Sequence, residues 1–192
     1  MANNLGVKVG TDANIKTTDN AGVHTPHHNV DAIAAGENHV GQISGHSFDV
    51  TVQPTVTNGA YSAGDIVGGL LEVAAARVAN GKVTLQSVQV ALKAAVVSTL
   101  SVIIFTADPS STTKTDNSAY SLNAADVFKV ATVVTGFALT DHGTPNTYAV
   151  HSLNRIISCD AASKFYALII DGTGFTLTST SDLQIRFTGY QD

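Results

Sequence analysis

A chain of 192 residues leaves room for one globular domain plus an appendage. It is 44% hydrophobic and only 13% charged, where an ordinary domain is roughly 25% charged; a disordered acidic polypeptide and a helical bundle laced with ion pairs are both excluded. The net charge is −5 and the ten Lys and Arg are scattered singly, so no nucleic acid and no membrane is expected as a partner: counterion release and basic membrane attachment both need clustered positive charge.

The first residues, MANNLGVKVG, contain neither a basic n-region nor an apolar run of signal-peptide length. No segment approaches the ~20 apolar residues of a membrane span. The expectation is a protein made in the cytosol, which stays there or leaves by lysis or assembly. Residues 1–47 hold no Phe, Tyr or Trp; all twelve aromatics lie between Phe48 and Tyr190. Large aromatics supply much of a core's buried area, so residues 1–47 read as an extended N-terminal arm, ordered by what it lies against. Residues 48–192 then form the folded domain.

Five of the seven histidines sit in that arm, three of them in His24-Thr25-Pro26-His27-His28. Clustered imidazoles raise a metal reading, in which His24, His27 and His28 serve as ligands and Asp31, Glu37 or His39 complete the set if the arm folds back. Tetrahedral zinc needs three or four such ligands. Against it, the stretch has no H-E-x-x-H helix context, Pro26 favours an extended chain, and adjacent His27 and His28 point to opposite sides of one. The preferred reading is a polar arm facing a partner through His24, His27, His28, Asn29, Glu37, Asn38 and His39, with no resident metal or other cofactor. Imidazoles titrate near pH 6.5, so such a contact should change on acidification.

From residue 48 onward the chain reads as strands. FDVTVQ sets Phe48, Val50 and Val52 against Asp49, Thr51 and Gln53, and LQIRFTGY sets Leu183, Ile185 and Phe187 against Gln184, Arg186 and Thr188; both are half-buried antiparallel strands. Between them, Asp65 to Lys93 suggests a long hairpin turning at Asn80-Gly81, the favoured type I′ pair. Gly68-Gly69 suggests a bend or a close backbone approach. The apolar phase slips between Val83-x-Leu85 and Val88-x-Val90-x-Leu92, which predicts a β-bulge near Gln86-Ser87. LSVIIF (100–105) and FYALII (165–170) are apolar on both faces and end in Asp108-Pro109 and Asp171-Gly172, as central strands do. In SLNAADVF, Asn123 caps a short helical turn and Asp126 lies at its positive end. Eight or so strands over about 145 residues make an all-β fold, an antiparallel β-sandwich with little helix and a jelly roll as first choice.

Motifs for chemistry are sparse. DGTG at 171–174 leads into FTLTS rather than a helix, so it reads as a hairpin turn and not a phosphate loop. Ser44 in GQISG has the wrong glycine spacing for a nucleophile elbow. Glu37 and Glu72 are the only glutamates and lie in different regions, and most aspartates occupy turn positions. The single cysteine, Cys159, excludes an intramolecular disulfide and reads as a small core residue. His142 and His151 read as hydrogen-bonding residues beside turns or strand ends. No catalytic residue is assigned.

Three runs carry a resemblance: SAGDIVGGLLEVAAARVANGKVTLQSVQVALK, SVIIFTADPSSTTKTDNSAYSLNAADVFKVATVV, and STSDLQIRFTGYQD. The most specific block is Phe105 to Val134, with Asp108-Pro109-Ser110, a Thr-rich stretch, Asp116-Asn117-x-Ala119, a leucine and a short acidic turn. GENHVGQISG in the arm adds to it. Over residues 36–192 the chain resembles virion structural proteins of tailed bacteriophages. The resemblance implies a structural part and no enzyme: a head decoration (cement) protein, a homotrimer bound to the major capsid protein or another virion protein. A head or tail fibre with a receptor-binding β-domain is the alternative it leaves open. The residues alone also keep a metal-dependent enzyme built on the His cluster as a third reading. The place implied is the virion, after synthesis in the host cytoplasm.

Overall fold

The computed structural model describes residues 17–20, 23–26, 46–143 and 146–191. Of these, 56% are in strands and 4% in helix, and every sheet is antiparallel. The chain divides into two compact units, Met1–Ile43 and Ser44–Asp192.

In the first unit, β1 (Thr17–Asn20) and β2 (Val23–Pro26) pair antiparallel, with Asp19 opposite His24. That part of the expected arm is a small hairpin. Its last two residues, His46 and Ser47, belong to β3 (His46–Val52) of the second unit, and the remainder lies outside the described residues.

The second unit contains eight longer strands: β3 (His46–Val52), β5 (Ile66–Ala74), β6 (Lys82–Leu92), β7 (Thr99–Phe105), β8 (Val130–Ala138), β10 (Thr147–Ser158), β11 (Lys164–Asp171) and β13 (Leu183–Gln191). Three short ones complete it, β4 (Ala60–Tyr61), β9 (Thr140–Asp141) and β12 (Phe175–Thr176). One sheet runs β3-β13-β6-β10-β9 and the other β5-β11-β7-β8, while β4 and β12 form a separate two-stranded ribbon. Numbering the eight longer strands in chain order, the sheets read 1-8-3-6 and 2-7-4-5. That is jelly-roll connectivity, two Greek keys wrapped into a sandwich.

This topology corrects the expected hairpin from Asp65 to Lys93. β5 and β6 lie in opposite sheets, and the residues between them form an arch rather than a hairpin turn. Gly81 N–H donates to Val78 O (3.0 Å), and Asn80 has φ +58° while Gly81 does not take a positive φ. A type I′ turn needs positive φ at both central residues. The Asn-Gly pair therefore marks a turn correctly, but the pairing partners are set by packing of distant strands. A second arch, between β10 and β11, locks against the first: Asn80 N–H donates to Asp160 O (2.8 Å) and Cys159 N–H to Gly81 O (2.9 Å). DGTG is corrected in the same way. It turns the chain out of β11 into β12, which pairs with β4 and not with β11.

Other local expectations hold. Gln86 has no partner in β13: Thr188 pairs with Ser87 and Gly189 with Leu85, so Gln86 is the extra residue of a bulge. The bulge restores inward phase to Val88, Val90 and Leu92, all buried. Gly68 and Gly69 form a second irregularity, opposite Leu168 in β11. Both have left-handed φ (+80° and +68°), and a Cβ on Gly68 would lie 2.6 Å from Pro54 Cγ. Only glycine combines that conformation with that approach.

The main core fills the space between the sheets. Phe165 of β11 and Phe187 of β13 meet edge to face across it, with ring centroids 5.3 Å apart. Each fully buried apolar side chain there contributes roughly 1.5–3 kcal/mol. A second core lies on the outside of the four-stranded sheet. Ile66, Ile103, Phe105, Tyr166 and Leu168 are buried there, with Tyr120 and Leu122 packed against them. Tyr120 and Leu122 belong to the excursion 106–129 between β7 and β8, so this loop covers the sheet. The cover explains why LSVIIF and FYALII are apolar on both faces.

Candidate functional site

The covering loop is held by carboxylates. Asp126, in the 3-10 helix Ala124–Lys129, is fully buried. It accepts hydrogen bonds from Ser111 N (2.9 Å) and the Thr112 hydroxyl (2.9 Å), and its other oxygen lies 2.7 Å from Lys129 Nζ. Lys129, followed by Thr112 and the Ser111 amide, holds its pKa below the ordinary carboxylate value against the opposing effect of burial. Asn123 caps this helix as expected, accepting from Ala125 N at 2.9 Å. Asp116 accepts from the Thr57 hydroxyl (2.7 Å), the Tyr61 hydroxyl (2.9 Å) and Gly68 N (2.6 Å). Burial, with the Asp116 carboxylate beside it, pushes the Tyr61 phenol well above its usual value. Lys114 pairs with Asp108 at 2.7 Å. Backbone bonds complete the attachment: Ile66 N–H to Ser118 O (2.9 Å) and Tyr120 N–H to Gly64 O (2.8 Å) stitch the loop to the β5 edge.

The anchored turn presents apolar side chains to solvent. Phe128 is 95% exposed beside the buried Asp126, and Val127 is exposed with it. The ring stands on a turn whose backbone is already anchored through Asp126, so covering it has to order the Phe128 side chain but not the turn that carries it. Elsewhere Val97 is 83% and Ile156 71% exposed.

The outer face of the five-stranded sheet has a different chemistry. Its rows are set by strand register. Ala91 of β6 lies between Tyr148 of β10 and Gln184 of β13, and Gln89 lies between Val150 and Arg186. A small residue between two long ones leaves a recess. Two adjoining troughs, of about 490 and 210 Å3, share Gln89, Ala91 and Gln184. At one end Arg186 donates through Nε to Asp49 Oδ1 (2.7 Å) and through Nη2 to Asp49 Oδ2. This bidentate pair lowers the Asp49 pKa and raises that of Arg186. At the other end Tyr148 stacks on His142, with centroids 4.2 Å apart and planes at 17°.

Of the residues singled out in the arm, His24 lies in β2, while His27, His28, Asn29, Asp31, Glu37, Asn38 and His39 lie outside the described residues. Among the described residues, no group of three or more His, Cys, Asp or Glu is placed to hold a metal ion. Cys159 is buried, and burial pushes its thiol up to about 11. A thiol so placed is a poor nucleophile at neutral pH. His142 follows β9 as expected for a residue beside a strand end. His151 instead lies inside β10, where its Nε2 donates to Gly136 O at 3.1 Å and its ring packs on Phe137. Sequence reasoning missed the groove. Alternation places Gln89, Gln184, Arg186 and Asp49 outward, but only the register makes them neighbours. Among the described residues no helix is long and apolar enough to cross a membrane. No protein-family model matches the chain, and no curated protein is detectably similar to it in sequence.

Proposed function

We propose that this chain is a structural virion protein of a tailed bacteriophage, a capsid decoration (cement) protein acting as a homotrimer. The resemblance over residues 36–192 motivates the reading, and Phe128 is the observation that carries it furthest. An almost fully exposed ring on a turn locked by Asp126 is suited to burial in a protein contact, since aromatic anchors dominate interface energies. The low charge density supports it too, because a neighbour can cover such a surface without stranding unpaired charges. In this reading the major capsid protein is the partner, residues 1–47 lie along the shell, and binding at subunit junctions stabilises the particle by mass action. The role is mechanical and no catalysis is involved.

Deleting residues 2–40 and changing Phe128 to Ala should each weaken attachment to purified shells in a sedimentation assay. Loss of an interface hot spot costs about 2 kcal/mol or more, roughly thirtyfold in affinity. Unchanged attachment of both variants would sink the proposal. The open groove favours the second reading, a head or tail fibre with a receptor-binding tip. Copy number separates the two: hundreds per particle support decoration, and a few to a few tens support a fibre.

A further inference from the structure

We propose that the groove on the outer face of the five-stranded sheet binds an uncharged oligosaccharide. The inference rests on the groove's own chemistry and stands wherever in a particle the protein sits.

A pyranose offers two things to a protein: hydroxyls, each both donor and acceptor, and patches of C–H that pack on an aromatic face. The groove has a counterpart for each. Gln89 and Gln184 flank its floor, and neither side-chain amide is engaged by another described residue. Each amide presents two N–H donors and an acceptor oxygen, which suits adjacent hydroxyls. Arg186 commits two of its five N–H donors to Asp49 and keeps three, and the paired carboxylate retains acceptor capacity. The floor is Ala91, whose small side chain admits a ring between its larger neighbours. Beside it stands Tyr148, 44% exposed. His142 covers one face of that ring, leaving the other face and the hydroxyl for a ligand.

Charge argues for a neutral ligand. Asp49 and Arg186 cancel at one end, and Lys93 and Asp182 balance at the other. A phosphate or sulfate group would meet Asp49 beside the only guanidinium lining the groove, and a cationic peptide would meet that guanidinium. The larger trough is lined by Asp49, Thr51, Gln89, Gln184 and Arg186 around Ala91, with the exposed Val150 outside that lining; polar groups around a small apolar floor are how small-molecule sites fix orientation.

The test is an amide NMR titration of the full chain with four soluble tetrasaccharides of different linkage: maltotetraose, cellotetraose, chitotetraose and mannotetraose. At least one should shift the amides of residues 89–91, 148 and 184–186, saturating at millimolar concentration. Ala91→Leu, which fills the recess, should abolish the shifts while leaving the rest of the spectrum in place. Gln184→Ala, which removes hydrogen bonds without filling space, should weaken binding about tenfold. The proposal fails if none of the four sugars shifts those amides, if the shifts map to another surface, or if both variants bind as the unmodified chain does. It also fails if Ala91→Leu blocks attachment to shells while no sugar binds, because the face is then a protein contact.

Discussion

The two sheets of the sandwich share one core but meet their surroundings differently. Outside the four-stranded sheet, Ile103, Phe105, Tyr166 and Leu168 are buried under Tyr120 and Leu122 of the 106–129 excursion. Outside the five-stranded sheet the outward positions have no such cover: Gln89, Gln184, Ser152 and the Arg186–Asp49 pair share the face with the exposed side chains of Tyr148, Val150, Ile156 and Tyr190. One side has become a third layer, pinned by Asp126 and Asp116. The other has stayed open, a mixed polar and apolar face with a recess among its polar rows. The difference lies in the strand sequences: a strand apolar on one face needs one covering layer, and a strand apolar on both needs two.

The comparison breaks most visibly if the outer layer is not a true core. Phe105→Ala, under the loop, and Phe187→Ala, between the sheets, should each destabilise by about 3–5 kcal/mol in urea denaturation. Both residues are fully buried, and each truncation leaves a cavity that the surrounding strands cannot close. A cost below about 1 kcal/mol for Phe105→Ala alone would mean that the loop merely rests on the sheet.

Next in size is the pin itself. Asp126→Ala leaves the Thr112 hydroxyl and the Ser111 amide without their acceptor inside the loop and removes the Lys129 ion pair, while Lys129 keeps its bond to Asp108 O; each buried group left without a partner carries a desolvation cost. Since the folded pKa of Asp126 lies below its unfolded value, its contribution is complete above the unfolded value of about 3.9. It is lost as pH falls through the folded pKa. Thermal midpoints of the unmodified chain should therefore fall below about pH 4 more steeply than those of Asp126→Ala. Parallel acid profiles would remove Asp126 as the anchor.

A smaller effect tests how closely the chain crosses at β5. Gly68→Ala puts a Cβ against the Pro54 ring at a left-handed φ. The conformation alone costs about 1–2 kcal/mol, and the proline ring cannot rotate away. Gly136→Ala is the matched control: its φ is +79° and a Cβ there meets nothing within 4 Å. The difference between the two measures the clash alone, and equal losses would show that Pro54 yields.

How far these features were legible depends on the range of the interactions that make them. The alternation in FDVTVQ and LQIRFTGY, the phase slip at Gln86, the two-faced strands and the Asn123 cap are written within a few residues, and each could be read directly. The Asp65–Lys93 hairpin could not, because Asn80-Gly81 specifies a turn while the sheet each strand joins depends on partners about a hundred residues away. The groove failed for the same reason. Ala91, Tyr148 and Gln184 come from three strands, and nothing near any of them announces the other two. The histidine motif was the most conspicuous local signal, yet the groove is built almost without histidine.

The smallest expected effect separates stability from binding. Gln184→Ala on the bare face removes an amide that no described residue engages, so unfolding free energy should move by no more than about 0.5 kcal/mol in the same urea assay. A side chain that the fold does not need, placed in register beside a recess, is free to be used for something else. If Gln184→Ala instead destabilises as strongly as Gly68→Ala, the amide is bonded within the domain in solution. The bare face would then be held together by its own side chains, as the covered face is by its loop, and the contrast between the two sheets would lose its functional meaning.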